Sequence, residues 1–209
     1  MRKDIFWLRN SLKVSKFAKI VSYIFDGSYI SIPAYFVMNL YMLHTYKEIL
    51  LWSFLCILFG SLIPFAFIFI LYKKKKINDL HVPKREERIK PILVTLVSYM
   101  LGFFVFYILK SPVYLRAIFF GSFLTVFVFI LITYFWKISF HTSWITFFCI
   151  TYFIIFGKWA LFLILLIPLV AWARVKIKRH TIAQVICGSV VTAITAFFGY
   201  SFFGMFKIF

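Results

Sequence analysis

The sequence predicts an all-α protein, a polytopic bundle of about seven (six to seven) transmembrane helices. Of its 209 residues, 64% are hydrophobic and 23% are aromatic, and the mean hydropathy is +0.97. Such a composition is typical of integral membrane proteins and excludes an ordinary soluble domain. The apolar residues fall in long runs separated by short polar or basic segments, without an internal repeat or a linker. We therefore predict one membrane domain over residues 28–209, preceded by a basic segment over residues 1–27.

The N-terminal segment, residues 1–27, interleaves apolar and basic side chains. This pattern is typical of an amphipathic helix that lies on anionic lipid, and an ordinary basic leader explains it nearly as well. The segment is charged throughout and lacks the apolar stretch of a signal peptide, so we expect no cleavage. The three cysteines lie in apolar runs without metal-ligand spacing, which predicts neither a disulfide framework nor a cysteine metal site.

The apolar runs define the predicted spans. Pro33 lies in the first run, and Gly60 and Pro64 are expected kink points in the second. Gly188 and Gly199 in the last run predict close contact with a neighbouring helix. The fifth and sixth runs form a hairpin whose legs are shorter than the roughly 20 residues of a usual span. In order, the predicted spans cover residues 28–44, 49–72, 92–109, 113–136, 142–156, 159–173 and 181–203.

Basic residues are distributed unequally between the two ends of such a bundle. The chain has 24 Lys and Arg against 6 Asp and Glu, a net charge of +18. With seven spans, 19 of the basic residues fall on the side of the N-terminus and 5 on the other side. The positive-inside rule then places the first side in the cytoplasm of a multi-pass plasma-membrane protein. Because the charges lie in short segments between apolar runs, we expect anionic lipids and phosphate groups as partners, and no nucleic acid.

The residues that could carry chemistry all fall on this predicted cytoplasmic side. An arginine offers a fork of donors that fits phosphate oxygens, and a neutral histidine can act as a nucleophile or a proton carrier. Gln184 lies one helical turn beyond His180 and can reach its ring. The alternatives are juxtamembrane charges, an interface histidine at His141 and a helix N-cap at Ser139. The candidate residues are Arg85, Arg88, Lys90, Ser139, His141, Arg174, His180 and Gln184.

Three of these segments resemble the motifs of the type 2 phosphatidic acid phosphatase superfamily, which includes lipid phosphatases and vanadium haloperoxidases. The third motif of that family, Ser-Arg, five residues, His, three residues and Asp, is similar to residues 173–184, where Ala173 and Gln184 replace the Ser and the Asp. The second motif, Pro-Ser-Gly-His, is similar to residues 138–141, with Phe140 in place of the Gly. The first motif, Lys, six residues and Arg-Pro, is loosely similar to residues 84–91.

The resemblance implies a mechanism that needs no metal or other cofactor. His180 would attack the phosphorus atom of a lipid phosphate and form a phosphohistidine, and His141 would protonate the leaving group. Gln184 would orient His180 without the charge of the family's Asp. A Mg-dependent prenyl-diphosphate enzyme would instead need two Asp-rich clusters. Only Asp79, Glu86 and Glu87 are expected near this face. The phosphate oxygens would be bound by Arg174, Ser139, Arg85, Arg88 and Lys90.

The expected function is therefore a metal-independent membrane lipid phosphatase. A polyprenyl (di)phosphate, a phosphatidate or a phosphatidylglycerophosphate-like lipid would be the substrate. Two alternatives belong to other classes of protein. One is a catalytically weakened relative that binds or moves anionic lipid, and the other is a small transporter with a basic substrate site.

Overall fold

The computed structural model describes residues 14–82 and 84–208, and every regular element within them is helical. The predicted all-α class is therefore confirmed for this part of the chain, and residues 1–13 of the predicted basic segment lie outside it. The helices are α1 (Val14–Ile24), α2 (Gly27–Met42), α3 (Tyr46–Lys73), α4 (Ile89–Ile108), α5 (Val113–Phe135), α6 (Phe140–Phe156), α7 (Leu166–Lys176) and α8 (Ile182–Phe202). A 3₁₀ helix, Gly157–Leu165, links α6 to α7.

Within residues 14–82 and 84–208, five helical runs are long and apolar enough to cross a membrane, or six if the bent pair α1–α2 counts as one span. That pair is bent by 50°. These runs confirm the prediction of a helical protein with several membrane-spanning segments. The five runs are Tyr46–Lys73, Glu86–Ile108, Val113–Phe135, Phe140–Lys176 and Ile182–Phe202.

The run Phe140–Lys176 folds back on itself at Gly157. Arg174 Nη1 lies 3.4 Å from His141 Nε2, although the two residues are 33 positions apart. A straight helix would separate them by about 50 Å. Gly157 has φ +65°, a left-handed conformation that favours glycine and allows the chain to reverse. Helices α6 and α7 are therefore antiparallel, in agreement with the predicted hairpin.

Helix α1 packs into the bundle through its inner face. Ala18 and Val21 are buried in one cluster with Ile145 of α6 and with Val170 and Ala173 of α7. The exposed face of α1 combines apolar side chains such as Phe17 and Ile20 with Lys16 and Lys19, as expected for an amphipathic helix at a lipid surface. The described part of the predicted N-terminal segment is thus packed in the same unit as α6 and α7.

Two glycines of α8 permit the close helix contacts predicted for them. A Cβ atom on Gly199 would lie 2.6 Å from the Cα atom of Gly121 in α5. A Cβ atom on Gly188 would lie 2.7 Å from the carbonyl oxygen of Ser139. Both distances are too short for a side chain, so glycine is required for α8 to pack against α5 and the start of α6.

Helix α3 contains a π turn, Leu58–Leu62, at the predicted kink around Gly60. A π turn interrupts the regular backbone hydrogen bonds and leaves carbonyl groups that need other donors. The Ser98 hydroxyl donates to the carbonyl of Phe59 at 2.6 Å, and the Tyr99 hydroxyl donates to that of Gly60 at 3.4 Å. Helix α4 therefore stabilises the irregular turn from the side.

Three connections between antiparallel helices, α3–α4, α5–α6 and α7–α8, meet at one end of the bundle, and the bend between α1 and α2 lies at the same end. Arg88 Nη1 donates to the carbonyl of Ile138 at 3.1 Å, and Lys137 Nζ donates to that of Arg179 at 2.8 Å. Asp26 Oδ2 lies 3.1 Å from His141 Nε2. The segments predicted to share a face therefore contact each other directly, and the candidate site is built from them.

Candidate functional site

A cavity of about 280 Å³ begins at this end of the bundle and continues between the helices. One end carries charged and imidazole side chains, and the remainder has an apolar wall from α2, α3, α5 and α6. His141 lies in the first turn of α6 and Thr151 ten residues later, so the cavity extends about 15 Å along that helix. This is about half the thickness of a membrane hydrocarbon core. The polar residues at its end are Asp26, His81, Arg88, His141, Arg174 and His180.

His180 follows α7 and is buried, with 7% of its surface exposed. Its Nδ1 lies 3.1 Å from the side-chain oxygen of Gln184, as the one-turn spacing predicts. That oxygen also accepts a hydrogen bond from the backbone N–H of Thr181 at 3.2 Å. The backbone N–H of Thr181 can only donate, so the atom that it contacts is the amide oxygen of Gln184. The Nδ1 of His180 faces the same oxygen and therefore carries the ring proton. The lone pair of His180 is therefore on Nε2.

Burial lowers the pKa of His180 to about 3, and the positive charges of Arg174, Arg88 and Lys137 act in the same direction. The hydrogen bond to Gln184 opposes this shift but does not cancel it. The ring is thus neutral throughout the physiological pH range. A neutral, buried imidazole with a defined tautomer has the charge state that a nucleophile needs.

Gln184 has a second role that the sequence analysis missed. Thr181 and Gln184 form a capping box at the start of α8, in which each side chain accepts a hydrogen bond from the other residue's backbone N–H. The spacing of a Thr and a Gln three residues apart before an apolar run is the sequence signal for this motif. The capping box fixes the Gln184 side chain, and Gln184 in turn fixes the His180 ring.

Arg174 is the most buried cation of the site, with 5% of its surface exposed. Its Nη1 donates to the hydroxyl of Ser22 at 2.7 Å. Its Nε is buried and has no hydrogen-bond partner among the residues that the structure describes. A buried guanidinium N–H without an acceptor is costly, so this group is positioned to receive an anionic ligand.

Arg88 and Lys137 extend the positive charge around His180. Arg88 is buried and uses two of its N–H groups on the carbonyls of Val82 and Ile138, at 2.8 and 3.1 Å. Burial lowers the pKa of Lys137, and the guanidinium groups of Arg88, Arg174 and Arg179 lower it further. The cations at this end outnumber its buried carboxylates, which favours an anion as the ligand.

His141 is paired with Asp26, a residue that the sequence analysis did not select. The Asp26 Oδ2 to His141 Nε2 distance of 3.1 Å is shorter than the 3.4 Å between Arg174 Nη1 and the same nitrogen. The histidine therefore donates to the carboxylate. The expectation that only Asp79, Glu86 and Glu87 lie near this face was wrong, because the bend between α1 and α2 brings Asp26 into the cavity wall.

His81 lies in the loop between α3 and α4 and was also missed. Its Nε2 is 3.5 Å from Asp26 Oδ2, and its ring is inclined by 25° to that of His141, with centroids 6.0 Å apart. Its Nδ1 is 3.2 Å from Asp79 Oδ1. Although burial raises the pKa of Asp79, hydrogen bonds from His81 outweigh that effect and lower it, with a smaller contribution from Arg179. The loop of residues 79–81 is thus tied to the site through carboxylates.

Three of the predicted phosphate ligands do not line the cavity. Ser139 is buried and its hydroxyl caps the start of α6, as the alternative reading had it. Arg85 donates to the carbonyl of Phe135 at 2.7 Å and pairs with Glu86. Lys90 is exposed on the first turn of α4. Of the basic residues around the first motif, only Arg88 reaches the cavity.

No family profile, no curated protein and no solved structure matches this chain. The assignment of a function therefore rests on the residues and geometry of the site.

The low pKa of His180 predicts how the stability of the protein depends on pH. The folded-state pKa of about 3 lies below the unfolded value of about 6.5, so unfolding takes up a proton between these values. The stabilisation is fully present above pH 6.5 and is lost as the pH falls toward 3. We expect a loss on the order of 2 kcal/mol by pH 4.5.

Thermal unfolding in detergent between pH 7.5 and 4.5 measures this effect. His180→Asn should lose less stability on acidification than the wild type, whereas His44→Asn, at an exposed position at the other end of the bundle, should follow the wild type. An unchanged pH dependence in His180→Asn would contradict the low pKa.

Proposed function

We propose that the protein is a membrane lipid phosphatase that works through a phosphohistidine and requires no metal. The observation that carries this proposal is the Nε2 lone pair of His180 at the cationic end of a cavity, beside a buried Arg174 N–H for which residues 14–82 and 84–208 provide no acceptor. A phosphate group supplies oxygens for the guanidiniums and a phosphorus atom for the imidazole. The resemblance to the type 2 phosphatidic acid phosphatases supports the same assignment.

In the first step, Nε2 of His180 attacks phosphorus, and the bond between phosphorus and the leaving oxygen breaks. A phosphate bound beside Asp26 would favour the imidazolium form of His141, which burial and the charge of Arg174 oppose, and this imidazolium gives its proton to the leaving oxygen. Arg174 and Arg88 bind the equatorial oxygens, where negative charge is concentrated in the transition state. The products are a free lipid alcohol, or a lipid monophosphate from a diphosphate, and a phosphorylated His180.

In the second step, water attacks the phosphorus atom from the side of the departed lipid. His141, now neutral, accepts a proton from this water and returns to its imidazolium form. The bond between phosphorus and Nε2 of His180 breaks, and inorganic phosphate leaves. Gln184 keeps the Nδ1 proton of His180 in place through both steps. Its amide has no negative charge to stabilise the His180 ring when that ring becomes positively charged.

The apolar part of the cavity favours a lipid ester over a soluble phosphate ester. The walls beyond His141 consist mostly of aliphatic and aromatic side chains, so a phosphate at the cationic end would direct its alkyl chain between the helices. A volume of about 280 Å³ is near the lower end for small-molecule sites. The cavity would therefore hold the phosphate and the first part of one chain, and the bilayer would hold the rest. The substrate candidates remain polyprenyl (di)phosphates, phosphatidate and phosphatidylglycerophosphate-like lipids.

For the membrane topology, we propose seven spans with the site at the cytoplasmic surface. Helices α2, α3, α4 and α5, the two legs of the α6–α7 hairpin and α8 supply these spans, and α1 lies at the site end. The excess of basic residues at the site end supports a cytoplasmic orientation in the plasma membrane, where anionic lipids are partners.

The direct test of the proposed function is phosphate release from a panel of lipid phosphates by the purified protein. His180→Ala should lower the rate by at least roughly 10⁴-fold, because it removes the nucleophile. The matched control His44→Ala, an exposed histidine at the opposite end, should keep wild-type activity. Activity should persist in EDTA and be inhibited by vanadate, which mimics five-coordinate phosphorus. Full activity in a folded His180→Ala variant would rule out the mechanism, and inactivity of the wild type on the whole panel would favour a lipid-binding protein.

Gln184→Glu tests whether the missing charge limits the rate. Glutamate keeps the side-chain length, so it can still accept from Thr181 and His180, and its charge stabilises a positive imidazole. We expect a gain of at least tenfold in the rate of phosphate release, about 1.4 kcal/mol of barrier. Gln184→Asp is the shorter control and should lose part of the capping box. A folded Gln184→Glu enzyme that is slower than wild type would show that the neutral amide suits this site better.

The proposed orientation is tested by cysteine labelling in intact cells. Single cysteines replace Lys47 and Lys76, both exposed, in a background without Cys56, Cys149 and Cys187. A membrane-impermeant maleimide should label position 47 from outside and reach position 76 only after the cells are permeabilised. The opposite pattern would place the site on the outer surface.

A further inference from the structure

We propose that Asp26, His81 and His141 form a transition-metal site, and that Zn²⁺ bound there inhibits the phosphatase. One ligand atom from each residue lies within 4.8 Å of the others. Two imidazole nitrogens and one carboxylate oxygen are a ligand set that zinc uses, with the fourth position left to water or an anion. Metal binding stands on the geometry alone, and only the inhibition rests on the proposed function.

Two of the three distances between the ligand atoms are close to those of a tetrahedral zinc site. Bonds of 2.0–2.1 Å give a tetrahedron whose edges are about 3.3–3.4 Å long. Asp26 Oδ2 lies 3.1 Å from His141 Nε2 and 3.5 Å from His81 Nε2. The ligand atoms of His81 and His141 lie within 4.8 Å of each other. His81 is exposed in a loop, so its ring can move to bring this third edge to the same length.

Asp79 provides the outer contact that ligating histidines usually make. A histidine that binds metal through one nitrogen commonly donates its other N–H to a carboxylate, which fixes the ring and its tautomer. Here His81 Nδ1 faces Asp79 Oδ1 at 3.2 Å, so its Nε2 lone pair is directed toward Asp26 and His141. Arg179 Nη2 holds the other oxygen of Asp79 at 3.1 Å.

Both ring nitrogens of His81 face carboxylates, Asp79 at one and Asp26 at the other. When Nδ1 donates its proton to Asp79, the lone pair of Nε2 lies opposite the Asp26 carboxylate. A cation at Nε2, either a proton or a metal ion, removes this conflict, and a metal ion also accepts the lone pair of His141 Nε2.

Arg174 decides the consequence for activity. Its Nη1 is 3.4 Å from His141 Nε2, so a metal at that nitrogen would lie close to a guanidinium. The two cations need an anion between them, such as hydroxide or phosphate, which would occupy the position of the substrate phosphate. A metal bound to Nε2 of His141 also prevents the ring from forming the imidazolium that the proposed reaction needs. Zinc should therefore bind and inhibit.

The test measures metal binding and activity separately on the full-length protein. Calorimetric titration with Zn²⁺ should give one saturable site per chain, and Co²⁺ should give the intense visible absorption of a tetrahedral complex. Asp79→Asn should weaken zinc binding 10–100-fold, as loss of an outer carboxylate does, and His81→Ala should weaken it further. His44→Ala should bind as the wild type does. Zinc should inhibit phosphate release, and its half-inhibitory concentration should rise in Asp79→Asn by the same factor as the dissociation constant.

The outcomes separate this inference from the proposed function. Saturable zinc binding in a protein that hydrolyses no lipid would keep the metal site and reject the phosphatase. Activity without zinc binding, or zinc binding that Asp79→Asn and His81→Ala leave unchanged, would reject the metal site. Stimulation of phosphate release by zinc would show that the metal is catalytic and overturn the inhibitory role.

Discussion

Buried positive charge at one end of an apolar bundle is the constraint on which this structure depends. Arg88 and Arg174 are 6% and 5% exposed, and an isolated charge at such a depth costs several kcal/mol. Arg88 donates to the carbonyls of Val82 and Ile138, and Arg174 donates to the hydroxyl of Ser22. These hydrogen bonds offset part of the cost of burying the two charges. These acceptors come from three separate segments, so the guanidiniums also fix how the helix ends are arranged. The Arg174 Nε–H, which has no acceptor among the described residues, is the group that a phosphate would pair with.

The polar partners of His180 and His141 differ from those that the resemblance to the phosphatase motifs implies. The third motif pairs the nucleophilic histidine with an acid, whereas His180 here contacts Gln184, which also belongs to a capping box. The carboxylate of the site, Asp26, contacts His141 instead. The buried carboxylate of the site therefore lies beside the proposed acid and not beside the proposed nucleophile. The same Asp26 supplies the oxygen ligand of the proposed metal site.

Much of the fold could be predicted from the sequence because hydropathy, glycine and proline act locally. The apolar runs, the hairpin at Gly157 and the close contacts of Gly188 and Gly199 follow from local composition. The unequal distribution of basic residues was enough to predict that the candidate segments lie at the same end of the bundle. Asp26 and His81 were missed because their contacts join residues 26, 81 and 141, and only the packing of α1 and the 79–88 loop brings these together. The N-cap of Ser139 shows the reverse case, in which a local role was the correct one.

The proposal that His180 is the nucleophile is tested most directly by identifying the residue that carries the phosphoryl group in the reaction intermediate. The protein is mixed briefly with a ³²P-labelled lipid phosphate, denatured in alkali, which preserves phosphohistidine, and digested for peptide mapping. The account predicts acid-labile label on the peptide that contains His180, and none in His180→Ala. Label on His141, which has the carboxylate partner, or phosphate release without any labelled histidine would contradict it.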